Sequence, residues 1–318
     1  LRDNNSANQN TAVGFNAMLV NTTGQNNVAV GNQALDALTT ANQNTAIGTY
    51  SLTNCTTGAN NTAVGYNTLA DTQTGNNNTA VGILALKATT GGSNNAAVGQ
   101  DAMKSNTDGD NNAAFGADSL GQNTTGHRNT ACGFQSMVNT TTGEQNTALG
   151  AQALASNQTG DHNTAIGRSA MYSNTGSNNV AVGKDCMFSN TTGTANTAVG
   201  RSALETQTTA GNNTAMGYAA LQQNNSGSEL AAFGAYALDA NTTGANNSAF
   251  GYGSLTSCTA GANNTAVGRS ALANVSVSNS NTGVGHSALG TCTSGNSNTA
   301  VGKGALQDLQ TSSQCTAV

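Results

Sequence analysis

The sequence predicts an all-β fold, a parallel β-solenoid (a β-roll or β-helix) of about 18 coils with one 17-residue repeat in each coil. The stretch Asn-Thr-Ala-Val-Gly at Asn10–Gly14 returns in recognisable form every seventeen residues, as far as Asn298–Gly302. Each copy is followed at a fixed distance by a Leu or Met, and then by a polar run rich in Thr and Gly. The dipeptide Asn-Gly, the strongest short signal for a hairpin, never occurs, which disfavours a meander of antiparallel strands.

The length of the repeat limits what one copy can form. Seventeen residues are too few for a pair of helices with their turns, but they suit two or three short strands joined by tight turns. Successive coils would then stack about 4.8 Å apart through parallel backbone hydrogen bonds. We therefore interpret residues 1–318 as a single repetitive solenoid that is part of a longer fibre. Its coils begin at Asn10, Asn27, Asn44 and so on to Asn298, and a truncated coil begins at Cys315.

Composition argues against several classes of protein. Charged residues make up 7% of the chain and aromatic residues 4%, and the net charge of −5 is spread thinly. The chain therefore offers no basic patch for nucleic acid and no polybasic segment for a membrane surface. No apolar run approaches the length of a membrane helix. We expect neither nucleic-acid binding nor membrane insertion, and the strict period argues against disorder.

Counting the leading Asn as position 1 shows which positions of the repeat are constrained. Position 1 is Asn in 17 of the 18 complete copies, with Leu230 as the exception, and position 5 is Gly in all 18. The Asn column predicts a ladder of side-chain amides along the fibre axis, with an Asn in a left-handed turn conformation as the alternative. The Gly column predicts either a turn with positive φ or the close approach of another backbone.

Two apolar columns are predicted to form the core of the coil. Position 4 is Val, Ile, Leu, Met, Cys or Phe, and position 9 is always Leu or Met. On this assignment Val81→Asp would bury an unpaired charge, and Gly82→Val would block the turn. One copy, from Gly167 to Gly183, is a residue short, and the deletion falls in the polar run. A solvent-facing loop would absorb such a deletion without disturbing the strands.

The small residues at positions 3 and 8 lead to an expectation about partners. Position 3 is Ala in every copy except at Gly283, and position 8 is always Ala, Ser, Thr or Cys. Adjacent residues of a strand point to opposite faces, so an inward position 4 would place the Ala of position 3 outside. Such columns predict a homo-oligomer whose chains pack through their Ala columns. The alternative interpretation is that Ala fills a tight corner inside the coil.

The segment Asn-Thr-Ala-Val-Gly-Tyr-Asn-Thr-Leu at Asn61–Leu69, followed by the Thr-Gly turn at Thr74 and Gly75, resembles two kinds of repeat. It is more similar to the repeats of phage and algal-virus tail-fibre-like proteins. It is more distantly similar to the head repeats of trimeric autotransporter adhesins, in which three chains form a left-handed parallel β-roll. The autotransporter coil is shorter, so its cross-section does not carry over. The resemblance covers nearly the whole chain and implies a homotrimeric, fibrous, surface-exposed protein.

The residues that usually carry chemistry are scattered through the repeat. The three histidines, His127, His162 and His286, sit at three different repeat positions, and the six cysteines show no spacing typical of zinc or of a disulfide framework. The fragment Asp108-Gly-Asp110 resembles part of a calcium loop but does not recur, which favours a solvated turn. We expect no catalytic residues, no metal site and no cofactor, and therefore no enzyme.

Position 6 is the most variable position beside the constrained ones, and it predicts a ridge that contacts glycans. It carries basic residues on successive coils and aromatic residues on others, such as Tyr66, Phe134, Tyr218 and Tyr252. Side chains about 5 Å apart along one ridge could bind acidic sugars or a sulfated polymer. The alternative is ordinary surface variation. The candidate glycan-contact residues are Arg168, Lys184, Arg201, Arg269, His286 and Lys303.

Asn-x-Ser/Thr sequons are frequent, and in a eukaryotic secretory host they could carry glycans. Sequons such as those at Asn60 and Asn77 abut the predicted strand. Those within the Asn-Thr-Thr turn are the better candidates for N-glycosylation. These are Asn21, Asn123, Asn190 and Asn241.

Taken together, these features predict an extracellular structural fibre or filament without catalytic activity, located outside the cell, on the cell surface or on a virion. An adhesin or viral receptor-binding tail fibre that recognises surface glycans is the alternative. Ice binding by flat arrays of Thr is a weaker hypothesis, because the paired Thr residues of the turn are adjacent and would face opposite ways.

Overall fold

The computed structural model describes residues 6–318, which form two compact units. The first unit ends at Asp161 and the second runs from His162 to Val318. Each unit is a parallel β-solenoid in which one short strand recurs about every seventeen residues, so the predicted fold class is confirmed. The described residues contain no helix with the length and apolar character needed to cross a membrane.

One strand of three residues forms in nearly every coil, at positions 2 to 4, and it pairs in register with the same positions of the next coil. The strands of the first unit are β1 Thr11–Val13, β2 Val28–Val30, β3 Thr45–Ile47, β4 Thr62–Val64, β5 Thr79–Val81, β6 Ala96–Val98, β7 Ala113–Phe115, β8 Thr130–Cys132 and β9 Thr147–Leu149. Those of the second unit are β10 Thr164–Ile166, β11 Val180–Val182, β12 Thr197–Val199, β13 Thr214–Met216, β14 Ala231–Phe233, β15 Ser248–Phe250, β16 Thr265–Val267, β17 Thr282–Val284, β18 Thr299–Val301 and β19 Thr316–Ala317.

The rest of each coil consists of turns, whereas the sequence led us to expect two or three strands. The turns are nevertheless tied to the neighbouring coils by backbone hydrogen bonds, such as Leu69 N–H to Ala85 O at 3.0 Å and Asn67 N–H to Thr49 O at 3.0 Å. The chain cannot stay extended there, because positions 7, 9 and 17 have positive φ; examples are Asn67 (55°), Leu69 (50°) and Asn60 (60°).

The invariant Gly of position 5 combines the two properties that the sequence suggested as alternatives. In Gly82, φ is +135°, and a Cβ atom would lie 2.4 Å from the carbonyl oxygen of Gly99 on the next coil. Residues with side chains rarely adopt this φ, and no carbonyl oxygen can approach a Cβ so closely. Position 5 is therefore a corner where successive backbones are in direct contact.

Left-handed backbone explains why position 9 is Leu or Met and never Val or Ile. Leu120 has a φ of 49° and no exposed surface, and Met103 and Met137 occupy the same position on the neighbouring coils with φ of 50°. A β-branched side chain is strained at positive φ, whereas unbranched or γ-branched chains tolerate it better. The core column at position 9 is thus confirmed, and its composition follows from the backbone.

We predict that Leu120→Val destabilises the first unit by about 2–4 kcal/mol, because it combines a cavity with strain at positive φ. Leu120→Met should cost less than about 1.5 kcal/mol, since Met is accommodated on both neighbouring coils. Thermal or denaturant unfolding followed by circular dichroism measures both changes. Equal stability of the two variants would contradict the role assigned to the backbone.

The orientation predicted for the strands is wrong. Ala80 at position 3 has no exposed surface, whereas Val81 at position 4 is 38% exposed, so Ala faces the core and Val faces out. The interior is narrow: a Cβ at Gly283, the one glycine at position 3, would lie 3.2 Å from Cγ of Leu272 at position 9. The core therefore accepts no more than a methyl group beside Leu, as at Ala80, and has no space for Val. It follows that Val81→Asp would place a charge on the surface of the single chain, not inside it.

The Asn of position 1 forms a ladder, although most of its bonds are to backbone groups. The Oδ1 atom of Asn61 accepts from the N–H of Asn78 on the next coil at 2.9 Å, and its Nδ2 donates to Gly75 O at 2.8 Å. Direct amide-to-amide bonds also occur, as from Asn95 Nδ2 to Asn78 Oδ1 at 3.2 Å. The left-handed conformation belongs instead to the preceding residue, at position 17.

The short copy behaves as predicted. Strand β10 pairs with β11 in the usual register, with Thr164 opposite Val180 although only sixteen residues separate them. The missing residue is absorbed in the turn that follows Met171, where Thr175 N–H still bonds to Thr191 O at 2.6 Å. Strand pairing is therefore insensitive to the length of this turn.

Candidate functional site

The six basic residues predicted at position 6 all lie on the surface of the second unit. Arg168 and Lys184 are on adjacent coils and share an acidic neighbour, Asp185: its carboxylate lies 4.0 Å from Arg168 Nη2 and 3.3 Å from Lys184 Nζ. Arg201 follows on the next coil and points toward Tyr218 instead. The predicted ridge thus exists as a geometric feature, but its members differ in their surroundings. Arg168 and Lys184 lie near a carboxylate, whereas Arg201 lies near an aromatic ring.

Three tyrosines on consecutive coils form a cluster on this ridge, which we call the tyrosine cluster: Tyr218, Tyr236 and Tyr252. The ring centres of Tyr218 and Tyr236 are 5.2 Å apart, and those of Tyr236 and Tyr252 are 5.8 Å apart, both in edge-to-face arrangements. An arginine lies at each end: the guanidinium carbon of Arg201 is 5.9 Å from the Tyr218 ring centre, and that of Arg269 is 5.8 Å from the Tyr252 ring centre. These distances are typical of cation–π contacts.

The middle of the tyrosine cluster is open at the ridge. Position 6 of the central coil is Ala235, and the central ring comes from Tyr236 at position 7. Tyr218 is 45% exposed and Tyr252 is 54% exposed, so both rings are accessible to solvent on either side of the small Ala. Desolvation, together with the nearby Tyr218, Tyr252 and Asp239, raises the pKa of Tyr236. Sequence reasoning named the two outer tyrosines but missed Tyr236, because it followed a single repeat position.

A second surface feature is the row of apolar side chains at position 4, which we call the position 4 column. Phe115 is 44% exposed, Val81 38% and Val98 37%, and Phe233 stacks on Phe250 with ring centres 5.0 Å apart. The whole column carries no charged side chain. In the first unit it consists of Val13, Val30, Ile47, Val64, Val81, Val98, Phe115, Cys132 and Leu149. In the second unit it consists of Ile166, Val182, Val199, Met216, Phe233, Phe250, Val267, Val284 and Val301.

His127 and Asp110 hydrogen-bond to backbone groups of the turns. Nδ1 of His127 accepts a hydrogen bond from the Asp110 N–H at 2.9 Å, and Oδ1 of Asp110 accepts from the Ser93 N–H at 2.7 Å. His127 and Asp110 line a shallow depression of about 250 Å³ together with Asn111, Arg128 and Glu144. Within residues 6–318 no three His, Cys, Asp or Glu side chains are arranged to hold a metal ion.

All six cysteines are free thiols, and position 12 proves to be a further inward column. Cys55, Cys258 and Cys292, which the sequence placed in the polar run, are buried there. Each Sγ is aimed at a glycine carbonyl three residues on, as from Cys55 to Gly58 at 3.3 Å. Burial raises the pKa of the Cys55 thiol to about 12. These side chains fill the core and are not reactive sites.

The preferred N-glycosylation sites are corrected by the same column. Asn21, Asn123, Asn190 and Asn241 all occupy position 12 and have no exposed surface. The Nδ2 atom, which would carry the glycan, donates instead to a glycine carbonyl of the same turn at 3.1 Å in each case. A glycan on this atom is incompatible with the fold. Exposed sequons occur at position 17, such as Asn60 and Asn77, and at position 11, as at Asn54 and Asn274.

The paired Thr residues of the turn face opposite ways, as the sequence suggested. Thr22 at position 13 is half-buried, and its hydroxyl donates to Thr39 O on the next coil at 2.9 Å. Thr23 at position 14 is exposed. Only one of the two Thr columns thus faces solvent, so the turn does not form the flat double array that ice binding requires.

Comparison with known proteins adds no identification. No protein-family model matches the sequence, and no curated protein matches it.

Proposed function

We propose that this chain is an extracellular structural fibre or filament protein without catalytic activity, and that its copies associate side by side through the position 4 column. The observation that carries the proposal is the column itself, a row of uncharged apolar residues that are exposed or half-buried on successive coils. Contiguous apolar surface of this extent marks an interaction site in soluble proteins. The regular repeat and the absence of charge in the column suit another copy of this chain better than a partner of different sequence.

The oligomer that we propose is a homotrimer, as in the tail-fibre-like and autotransporter repeats that the sequence resembles. The Ala columns cannot be its interface, because the Ala side chains of positions 3 and 8 are buried within the chain, as Ala80 and Ala85 illustrate. The position 4 column takes over that role. On the same resemblance we propose a location outside the cell, on the cell surface or on a virion.

The double variant Val81→Asp/Val98→Asp tests self-association. Each Asp would have to lose its hydration against the partner chain, so we expect the wild-type oligomer to become monomeric, with association weakened at least tenfold. The β-structure should be retained, because both side chains face out. Light scattering measures the oligomer and circular dichroism measures the fold.

Thr74→Asp is the matched control for this experiment. Thr74 is exposed at position 14, where another copy of the repeat already carries Asp108, so the substitution adds a charge without touching the column. We expect the oligomer to be unchanged. A monomeric wild type, or a double variant with wild-type association, would refute the proposed interface.

Adhesion to surface glycans is a second candidate function, and the tyrosine cluster specifically favours it. A purely structural surface has no need of three clustered tyrosines, two of them exposed, between two arginines. Adhesion and a structural role are compatible, because the cluster and the position 4 column use different side chains.

A further inference from the structure

We propose that the tyrosine cluster, together with Arg201 and Arg269, is a binding site for an anionic polysaccharide. The proposal deepens the second candidate function by giving adhesion a defined site and a ligand class. It does not depend on how the chains associate.

The aromatic part of the site can hold sugar rings. Tyr218 and Tyr252 lie on coils that are two apart, which places them about 10 Å from one another along the stack. Ala235 leaves the ridge open between them, and Tyr236 closes one side. A pyranose ring has an apolar C–H face that packs on an aromatic ring, and the hydroxyl groups of the tyrosines can hydrogen-bond its polar edge.

The charges at the two ends specify an anion. Within residues 6–318 neither Arg201 nor Arg269 forms an ion pair, whereas Arg168 and Lys184 are both close to Asp185. A guanidinium group that is not paired with a carboxylate presents a planar set of donors that matches a carboxylate or a sulfate ester. The two arginines are therefore available to a ligand in a way that Arg168 is not.

The carboxylates of Asp239 and Glu205, near the site, already accept hydrogen bonds from side chains of adjacent coils. Asp239 Oδ1 accepts a hydrogen bond from the Thr256 hydroxyl at 2.6 Å, and Glu205 Oε2 accepts from Gln222 Nε2 at 2.7 Å. Both contacts are between adjacent coils, so they orient these carboxylates within the protein surface. Their two negative charges balance those of Arg201 and Arg269 over the site as a whole, but within residues 6–318 neither carboxylate forms an ion pair with either arginine.

The shape of the site favours a polymer over a small anion. Arg201 and Arg269 are four coils apart, which corresponds to about 19 Å, and the surface between them is an open ridge. A single sulfate or sugar acid cannot reach both ends. A chain of several sugar units that carries charges along its length can contact both arginines and the tyrosines between them.

Binding of size-defined heparin fragments to the assembled wild-type protein, measured by calorimetry or surface plasmon resonance, tests the proposal. Neutral dextran is the ligand control. We expect Arg201→Gln/Arg269→Gln and Tyr236→Ala/Tyr252→Ala each to weaken heparin binding at least tenfold. The first pair should also reduce the salt dependence of binding, because it removes two charged contacts, while the second pair should leave that dependence unchanged.

Matched controls exist at the same repeat position, position 6. Tyr66 is an exposed tyrosine that packs edge-to-face on Tyr50 without an arginine, and Arg168 is an exposed arginine beside Asp185. We expect Tyr66→Ala and Arg168→Gln to bind heparin like the wild type. No heparin binding by the wild type, equal binding of dextran, unaffected cluster variants, or equal losses in the controls would each overturn the proposal.

The same samples separate this proposal from the proposed fibre. Light scattering should show that the cluster variants remain oligomeric. A wild type that forms oligomers but binds no heparin would refute the binding site and leave the fibre intact. A monomeric wild type that binds heparin through the cluster would refute the fibre interface and leave the binding site intact.

Discussion

Gly251→Ala is expected to destabilise the second unit by about 4 kcal/mol or more, and to give a protein that loses its cooperative unfolding transition near the substituted coil. Gly251 has a φ of +139°, and a Cβ atom there would lie 2.6 Å from both the carbonyl carbon and the oxygen of Gly268. The clash is with backbone, which cannot move aside without breaking the bonds between coils. Gly82→Val, predicted from the sequence, acts through the same contact and should be at least as damaging.

Gly253→Ala is the control, and it lies only two residues away. Gly253 also has a positive φ, of 59°, but a Cβ atom there would meet nothing within 4 Å. Ala219 occupies the same repeat position on another coil with a φ of 55°, so this substitution has a precedent in the chain. We expect a cost of about 1 kcal/mol. Equal losses of stability at the two glycines, measured by chemical denaturation, would contradict the backbone contact between coils.

Asn61→Leu is expected to cost about 2–5 kcal/mol, because it leaves two buried backbone groups without their side-chain partners. The N–H of Asn78 loses its acceptor on the preceding coil, and the carbonyl of Gly75 loses its donor. The neighbouring change Asn60→Gln should be neutral, since Gln43 occupies that exposed position with a similar φ. Thermal unfolding of both variants measures the difference.

The chain also offers the reverse experiment. Leu230 is the one residue other than Asn at position 1 of the complete copies, and it cannot accept from the N–H of Asn247 on the next coil. We expect Leu230→Asn to stabilise the second unit by about 1 kcal/mol, because the new side chain can bond to Asn247 N–H and Gly244 O as its equivalents do elsewhere. A loss of stability in this variant would show that the buried Leu contributes more than the ladder at this coil.

The period of the repeat was enough to predict the fold, because each strand can pair only with its own copies. It was not enough to orient the strands. Ala80 and Val81 are both apolar, and the usual rule that the larger side chain is buried predicts the wrong face. The decisive constraint is the space opposite Leu at position 9, which depends on the width of the coil and cannot be derived from a single repeat.

The sequence predicted part of the tyrosine cluster, because it places residues of the same repeat position on one ridge but does not show which residues of other positions join them. Arg201 and Tyr218 share a repeat position, so the sequence places them on neighbouring coils of one ridge. Tyr236 belongs to the next position, and only the left-handed backbone at position 7, where its φ is 58°, brings its ring between the other two. Asn21 was misjudged because position 12 looks like part of a polar loop, although its amide satisfies a carbonyl inside the coil.

The glycine corner at position 5 has a consequence for how faithfully identical coils can align. If one coil slipped by a single residue against its neighbours, position 5 would receive either the apolar side chain of position 4 or the varied side chain of position 6. In the coil of Gly82 these are Val81 and Ile83, both β-branched and both excluded by a φ of +135° and by the adjacent carbonyl. Each coil therefore fits its neighbours in one register only. Near-identical repeats would otherwise be prone to frame-shifted pairing, and the glycine corner disfavours such a shift in each copy.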